Sequence, residues 1–207
     1  MNVMRFRIIL ALVVISGSVA SAAGEAPPPA VPSPEHQIAA AVAAAPEDRR
    51  ADARVLGYSP DGELTILREG SNDLICVADQ PGDGRFQAVC YHESLEPFVA
   101  RGRELRAAGV EDTLTPRHQE VDSGRLEMPK TPTVLYNLNG PADAYNPETG
   151  SIEGTSWLWV IYTPYATAES TGLPTTEQAP GGPWIMRSGT ASSHIMIVQP
   201  KSPSGGS

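Results

Sequence analysis

Two cysteines, Cys76 and Cys90, stand on either side of the run Pro81, Gly82, Asp83, Gly84, each inside a short apolar stretch. Leu74, Ile75, Cys76, Val77 and Ala78 read as one strand, and Phe86, Ala88, Val89, Cys90 and Tyr91 belong to the next. The residues between are turn formers: proline presets φ and glycine supplies positive φ. A bridge between the sulfurs closes a loop of about 15 residues and constrains the unfolded chain by roughly 3 kcal/mol. There is no C-x-x-C pair, which argues against a redox couple, a c-type haem site and a four-cysteine zinc site. A hairpin clipped at this point commits the middle of the chain to antiparallel sheet.

The same grammar runs to both sides. Val55, Leu56 and Tyr58, a turn at Ser59, Pro60, Asp61 and Gly62, then Leu64, Ile66 and Leu67 make another hairpin. With a turn at Gly70, Ser71, Asn72 and Asp73, residues 55–91 read as an antiparallel meander. Residues 134–138, 157–162 and 194–198 are further strands, and the last two are apolar at both parities, as in strands buried on both faces. Residues 94–108 form the best helix. Ser94 caps it, Glu96 lies in its first turn, Leu95, Phe98, Gly102 and Leu105 make one stripe, and Gly109 closes it. Residues 111–130 carry no clear periodicity. The 19 Gly and 20 Pro are close to a fifth of the 207 residues, against a background of roughly 12%; coiled coils and helical bundles are poor fits. The expected fold is α+β: a mostly antiparallel sheet of about seven strands, one packed amphipathic helix and a helical N-terminal extension at residues 35–53. Residues 54–200 would be a single domain and residues 201–207 a disordered tail.

The start of the chain reads as an export signal. Arg5 and Arg7 precede an apolar run, and Ala20 and Ala22 fit the A-x-A pattern, so residues 1–22 are expected to be cleaved. The run is short of the ~20 apolar residues a bilayer span needs, and no later segment reaches that length. No cysteine lies near the cleavage site, which argues against a lipid anchor. A proline-rich spacer, residues 23–34, follows. Cleavage turns 15 basic and 24 acidic residues into 13 and 24, a net charge of −11. That sign speaks against nucleic acid and anionic membranes as partners. The protein is expected in the periplasm or secreted, with the Cys76–Cys90 disulfide formed in an oxidising compartment. No cofactor is implied, and partner and oligomeric state are not legible.

Two patterns carry a resemblance. Leu67, Arg68, Glu69, Gly70, Ser71 and Asn72, followed by Cys76 and Cys90, form the first; Trp159 to Tyr165 with Gly189 and Thr190 form the second. Over residues 51–198 the chain resembles a set of uncharacterised exported bacterial proteins. The resemblance implies export and a shared domain but no activity.

Four histidines bound the catalytic options. His92, Glu93, Ser94, Leu95 and Glu96 look like H-E-x-x-H with the second histidine replaced, and paired imidazoles at i and i+4 are what hold zinc. The candidate metal ligands are therefore His92 and Glu96, completed by His118 and Glu120. The alternative is a strand end followed by acids favouring a helix N-terminus, and no metal is expected. Ser192 and His194 share strand parity and are the candidates for serine–histidine catalysis, although no nucleophile elbow or S-x-x-K is present. His36 falls on the N-terminal helix and carries no assigned role. Asp79, Asp83 and Gly84 partly match a calcium loop, but Pro81 and Cys90 occupy ligand positions, so a hairpin turn fits better. Seven of the twelve aromatic residues lie between Tyr136 and Trp184. Of these Tyr145, Tyr165 and Trp184 lie in or beside loops and are the candidate binding residues. Two functions stay open: a non-catalytic binding or structural module of the envelope or extracellular space, and a hydrolase or metal-dependent enzyme using His92 or His194.

Overall fold

The computed structural model describes residues 31–146 and 148–199. The expected signal peptide, most of the spacer and the tail lie outside these residues. The fold is α+β, built on one eight-stranded sheet. Its strands are β1 (Arg54–Tyr58), β2 (Leu64–Arg68), β3 (Leu74–Val77), β4 (Arg85–His92), β5 (Thr133–Pro141), β6 (Ser156–Tyr162), β7 (Trp184–Met186) and β8 (His194–Val198). Their spatial order is β2-β1-β3-β4-β5-β6-β8-β7. The strand beyond the expected seven is β7, three residues embedded in a long loop and too short to show a period.

The expected meander is corrected in one respect: β3 runs parallel to β1, on the side opposite β2. The chain leaves β2, passes the start of β1 and re-enters the sheet. The Arg68–Asn72 pattern makes this crossing. The Arg68 guanidinium donates to the carbonyls of Arg50 and Ala53. The Ser71 and Asn72 amides donate to Asp52 O, and Asn72 Nδ2 to Arg49 O. Gly70 rides so close to β1 that a Cβ there would lie 2.3 Å from Arg54 N, a backbone atom that cannot yield.

Cys76 and Cys90 are direct cross-strand partners and form the disulfide. Above them lies α1 (Pro34–Val42), capped by Ser33 with proline in its first turn. Sequence placed this segment in an extension ahead of the domain. Instead Ala40, Ala41, Ala44 and Ala45 share one core with Val55, Cys76, Ala88 and Cys90. Small side chains let the helix sit low on the strands. Gln37, 4% exposed, pins it: Nε2 donates to Pro32 O and Tyr58 O, and Oε1 accepts from Tyr58 N. Gly57 leaves room for that amide, since a Cβ there would be 2.6 Å from Gln37 Oε1.

The other face carries α2 (Glu96–Ala107), which buries Phe98, Gly102 and Leu105 as its stripe requires. A 3-10 turn, Glu93–Leu95, precedes it, and the cap on that turn is the His92 ring rather than Ser94. Residues 114–122 form a helix that periodicity missed, α3 (Leu114–Asp122). It buries no residue, so it has no apolar stripe to detect. Its Pro116 lies within the first turn, where the amide has no helical partner to lose. Polar contacts hold α3 in place. Glu120 takes a two-pronged bond from Arg101, at 2.9 and 2.8 Å. Arg117 donates to Phe98 O and covers the Phe98 ring at 4.3 Å.

A second expectation fails on β6 and β8. Trp159, opposite Tyr136 and Ile197, and Ile161, opposite Ile195, project to the α1 side of the sheet on its far half, while Trp157, opposite Leu138, packs against the core under α1. Trp159 is 40% exposed there, with the Tyr136 ring edge-on at 6.4 Å. These strands are apolar on both faces, but only one face is roofed by helices.

Candidate functional site

The candidate catalytic and metal-binding residues go to separate partners. Glu96 accepts from the Tyr91 hydroxyl and from Arg103. Glu120 is engaged by Arg101, whose hydrogen bond holds its carboxyl below the usual range. His118 Nε2 lies 2.7 Å from Ser192 Oγ. His92 faces Ser94 and Asp73. Among the described residues no three His, Cys, Asp or Glu side chains converge on a point. The proposed set of His92, Glu96, His118 and Glu120 is therefore not a metal site.

Ser192 and His194 do not form a catalytic pair either. The Nδ1 atom of His194 is 2.7 Å from the Ser192 carbonyl, not its hydroxyl, and its ring tilts against Tyr162 at 5.3 Å. Burial lowers the His194 pKa, and because a carbonyl can only accept, Nδ1–H is the donor in this contact. The Ser192 hydroxyl faces His118, whose pKa is lowered by burial and then by Arg187. Ser192 is completely buried, so this contact ties α3 to the start of β8. The second sequence pattern builds the same junction. Thr163 N donates to Ser193 O, Tyr165 N to Thr190 O, and Gly189 N to Ala166 O. Tyr165 and Arg187 adopt positive φ, 62° and 53°. The Tyr165 hydroxyl donates to Asp122 on α3, 2.7 Å away.

The three candidate binding aromatics are not gathered on one surface. Tyr165 is spent on Asp122, and Trp184 lies on edge strand β7 opposite Met196. Tyr145 follows β5 and sets its ring parallel to Phe86, with centroids 6.4 Å apart. Tyr145 lines a cavity.

That cavity lies under the N-terminal end of α1 and holds about 250 Å³. Pro32, His36, Gln37 and Ala40 form its roof, Ala78, Asp79, Pro81 and Gly82 come from the β3–β4 turn, and Phe86, Ala142 and Tyr145 close the remaining wall. The polar hairpin turn, the helix end and the β5–β6 loop meet here because β3, β4 and β5 are neighbours in the sheet. Asp79 Oδ1 accepts from the Gln87 amide at 2.7 Å. Burial nevertheless pushes its carboxyl up to about 6, with Asp83 adding to the rise. Burial also raises the Tyr145 hydroxyl. Apolar walls with a few polar groups, one of them a perturbed acid, make this the candidate ligand site. Sequence pointed to Tyr145 alone. His36 and Phe86 carried no signal, and Asp79 surfaced only through an incomplete calcium template.

His92 stands elsewhere, on a ridge between two shallow grooves of about 560 and 470 Å³. Its Nδ1 lies 2.9 Å from Ser94 Oγ and accepts the Ser94 amide at 3.2 Å. Its Nε2 is 3.6 Å from Asp73 Oδ2, and Arg49 holds the other Asp73 oxygen. Compared with known families, curated proteins and solved structures, the chain matches none.

Proposed function

We propose that the protein is an exported, non-catalytic binding module of the periplasm or the extracellular space. The cavity under α1 carries this reading: it combines concave apolar walls, an aromatic pair and one carboxylate raised by burial. The disulfide fits an oxidising compartment, and no helix among the described residues is long and apolar enough to cross a membrane. Both patterns behind the resemblance to exported proteins are spent on holding the fold, one at the β2–β3 crossing and one at the α3–β8 junction. That leaves neither as a catalytic constellation. A fragment screen by protein NMR should find compounds that move the Asp79, Phe86 and Tyr145 resonances. A blank screen together with turnover of generic esters or peptides would overturn the reading. Intact-mass analysis of protein from its native host should show residues 1–22 missing and two hydrogens lost to the disulfide.

A second reading is a hydrolase using His92. It draws on the alignment of Ser94, His92 and Asp73 beside open grooves. A fluorophosphonate probe should label Ser94 under this reading, and Ser94→Ala and His92→Ala should each abolish labelling. An unlabelled wild-type protein leaves the trio as a helix cap.

A further inference from the structure

We propose that the cavity under α1 takes a small organic cation, its ammonium group against Asp79 and its apolar body against Phe86 and Tyr145. The inference rests on the binding-module reading and names the ligand class for that same site.

Asp79 is the one acid in the cavity wall, and no lysine or arginine shares the wall with it. It joins none of the ion pairs among the described residues. Arg85, the cation that acts on it most strongly, is itself held by Asp83, Nε to Oδ2 at 3.2 Å. Gln37 has no free hydrogen to offer an anionic ligand, since Nε2 donates twice within the fold. The site therefore holds a partly desolvated carboxylate whose counter-charge the protein does not supply. An anionic ligand would be repelled, and a neutral one would desolvate the acid further without compensation. A cation supplies the missing charge, and aromatic rings in the wall, Phe86 and Tyr145, suit it as well. The volume, about 250 Å³, suits an amine the size of an amino-acid side chain. His36 lies in the same wall.

Benzylamine and its uncharged counterpart benzyl alcohol serve as probes, titrated at pH 7.5 with amide resonances followed by NMR. Benzylamine should shift Asp79, Phe86 and Gln87 saturably and bind at least roughly tenfold tighter than benzyl alcohol. Asp79→Asn keeps an oxygen for the Gln87 amide, so it should fold normally by thermal melting, and it should bind the two probes alike. Equal binding by the wild-type protein would sink the cation assignment and leave the cavity a binding site. An amine preference surviving in Asp79→Asn would also sink it, because the selectivity would lie elsewhere. If a folded wild-type protein responds to neither probe at those resonances, the cation proposal and the cavity-based reading both fall.

Discussion

One row of side chains crosses the sheet from Val55 through Cys76, Cys90, Tyr136 and Trp159 to Ile197, each opposite the next. Val55, Cys76 and Cys90 are fully buried, whereas Trp159 at the far side is 40% exposed. The pleat and the apolar content are alike in the two halves. The difference is α1, which lies over β1, β2, β3 and β4. Burial on this face follows from where a helix lands, not from the strand's own pattern. The covered half should accordingly carry the stability, and the open half should tolerate change.

The sharpest test is a pair of truncations. Phe86, 2% exposed beside α1, should cost about 3–5 kcal/mol as Phe86→Ala, measured by urea unfolding. Removing the disulfide through Cys76→Ala with Cys90→Ala should cost about 3 kcal/mol, read from the same curves. Gly70→Ala places a methyl against Arg54 N and should cost about 1–3 kcal/mol by overpacking, lowering the melting temperature without altering the disulfide. Asp79 sets a pH dependence. Its folded pKa, about 6, is above its ordinary value, so its contribution is fully present below about pH 4 and is lost as pH rises through 6. Asp79→Asn should relieve that loss, gaining on the order of 1 kcal/mol at pH 7 after allowance for solvent screening, checked by melts across pH 4–7. Trp159→Ala, the counterpart of the first truncation, should cost about 2 kcal/mol, clearly less than Phe86→Ala. A loss as large as that at Phe86 would show that something covers the open face in solution.

Much of the sheet could be read from residues alone. The Cys76–Cys90 hairpin, β5, β6, β8 and the Phe98, Gly102, Leu105 stripe of α2 rest on local rules of period and turn. The parallel pairing of β1 and β3 could not, because a turn at residues 70–73 reverses the chain without saying on which side of β1 it returns. α3 was invisible because side-chain bonds from His118, Glu120 and Asp122 replace an apolar stripe. Of the cavity, sequence named Tyr145 as a binding residue and met Asp79 only in a partial calcium loop, since enclosure depends on three segments far apart in the chain. The catalytic candidates failed for the same reason: parity placed Ser192 with His194, while the partner for its hydroxyl came from 74 residues away.

The connection from β2 past the start of β1 also bears on how the molecule assembles. β1 with β2 and β3 with β4 are two local hairpins that can each zip with little loop entropy. The seam between β1 and β3 is then a docking event, and Arg68, Gly70 and Asn72 act as its clasp. A chain with a faulty clasp would hold two well-made hairpins side by side with nothing to marry them.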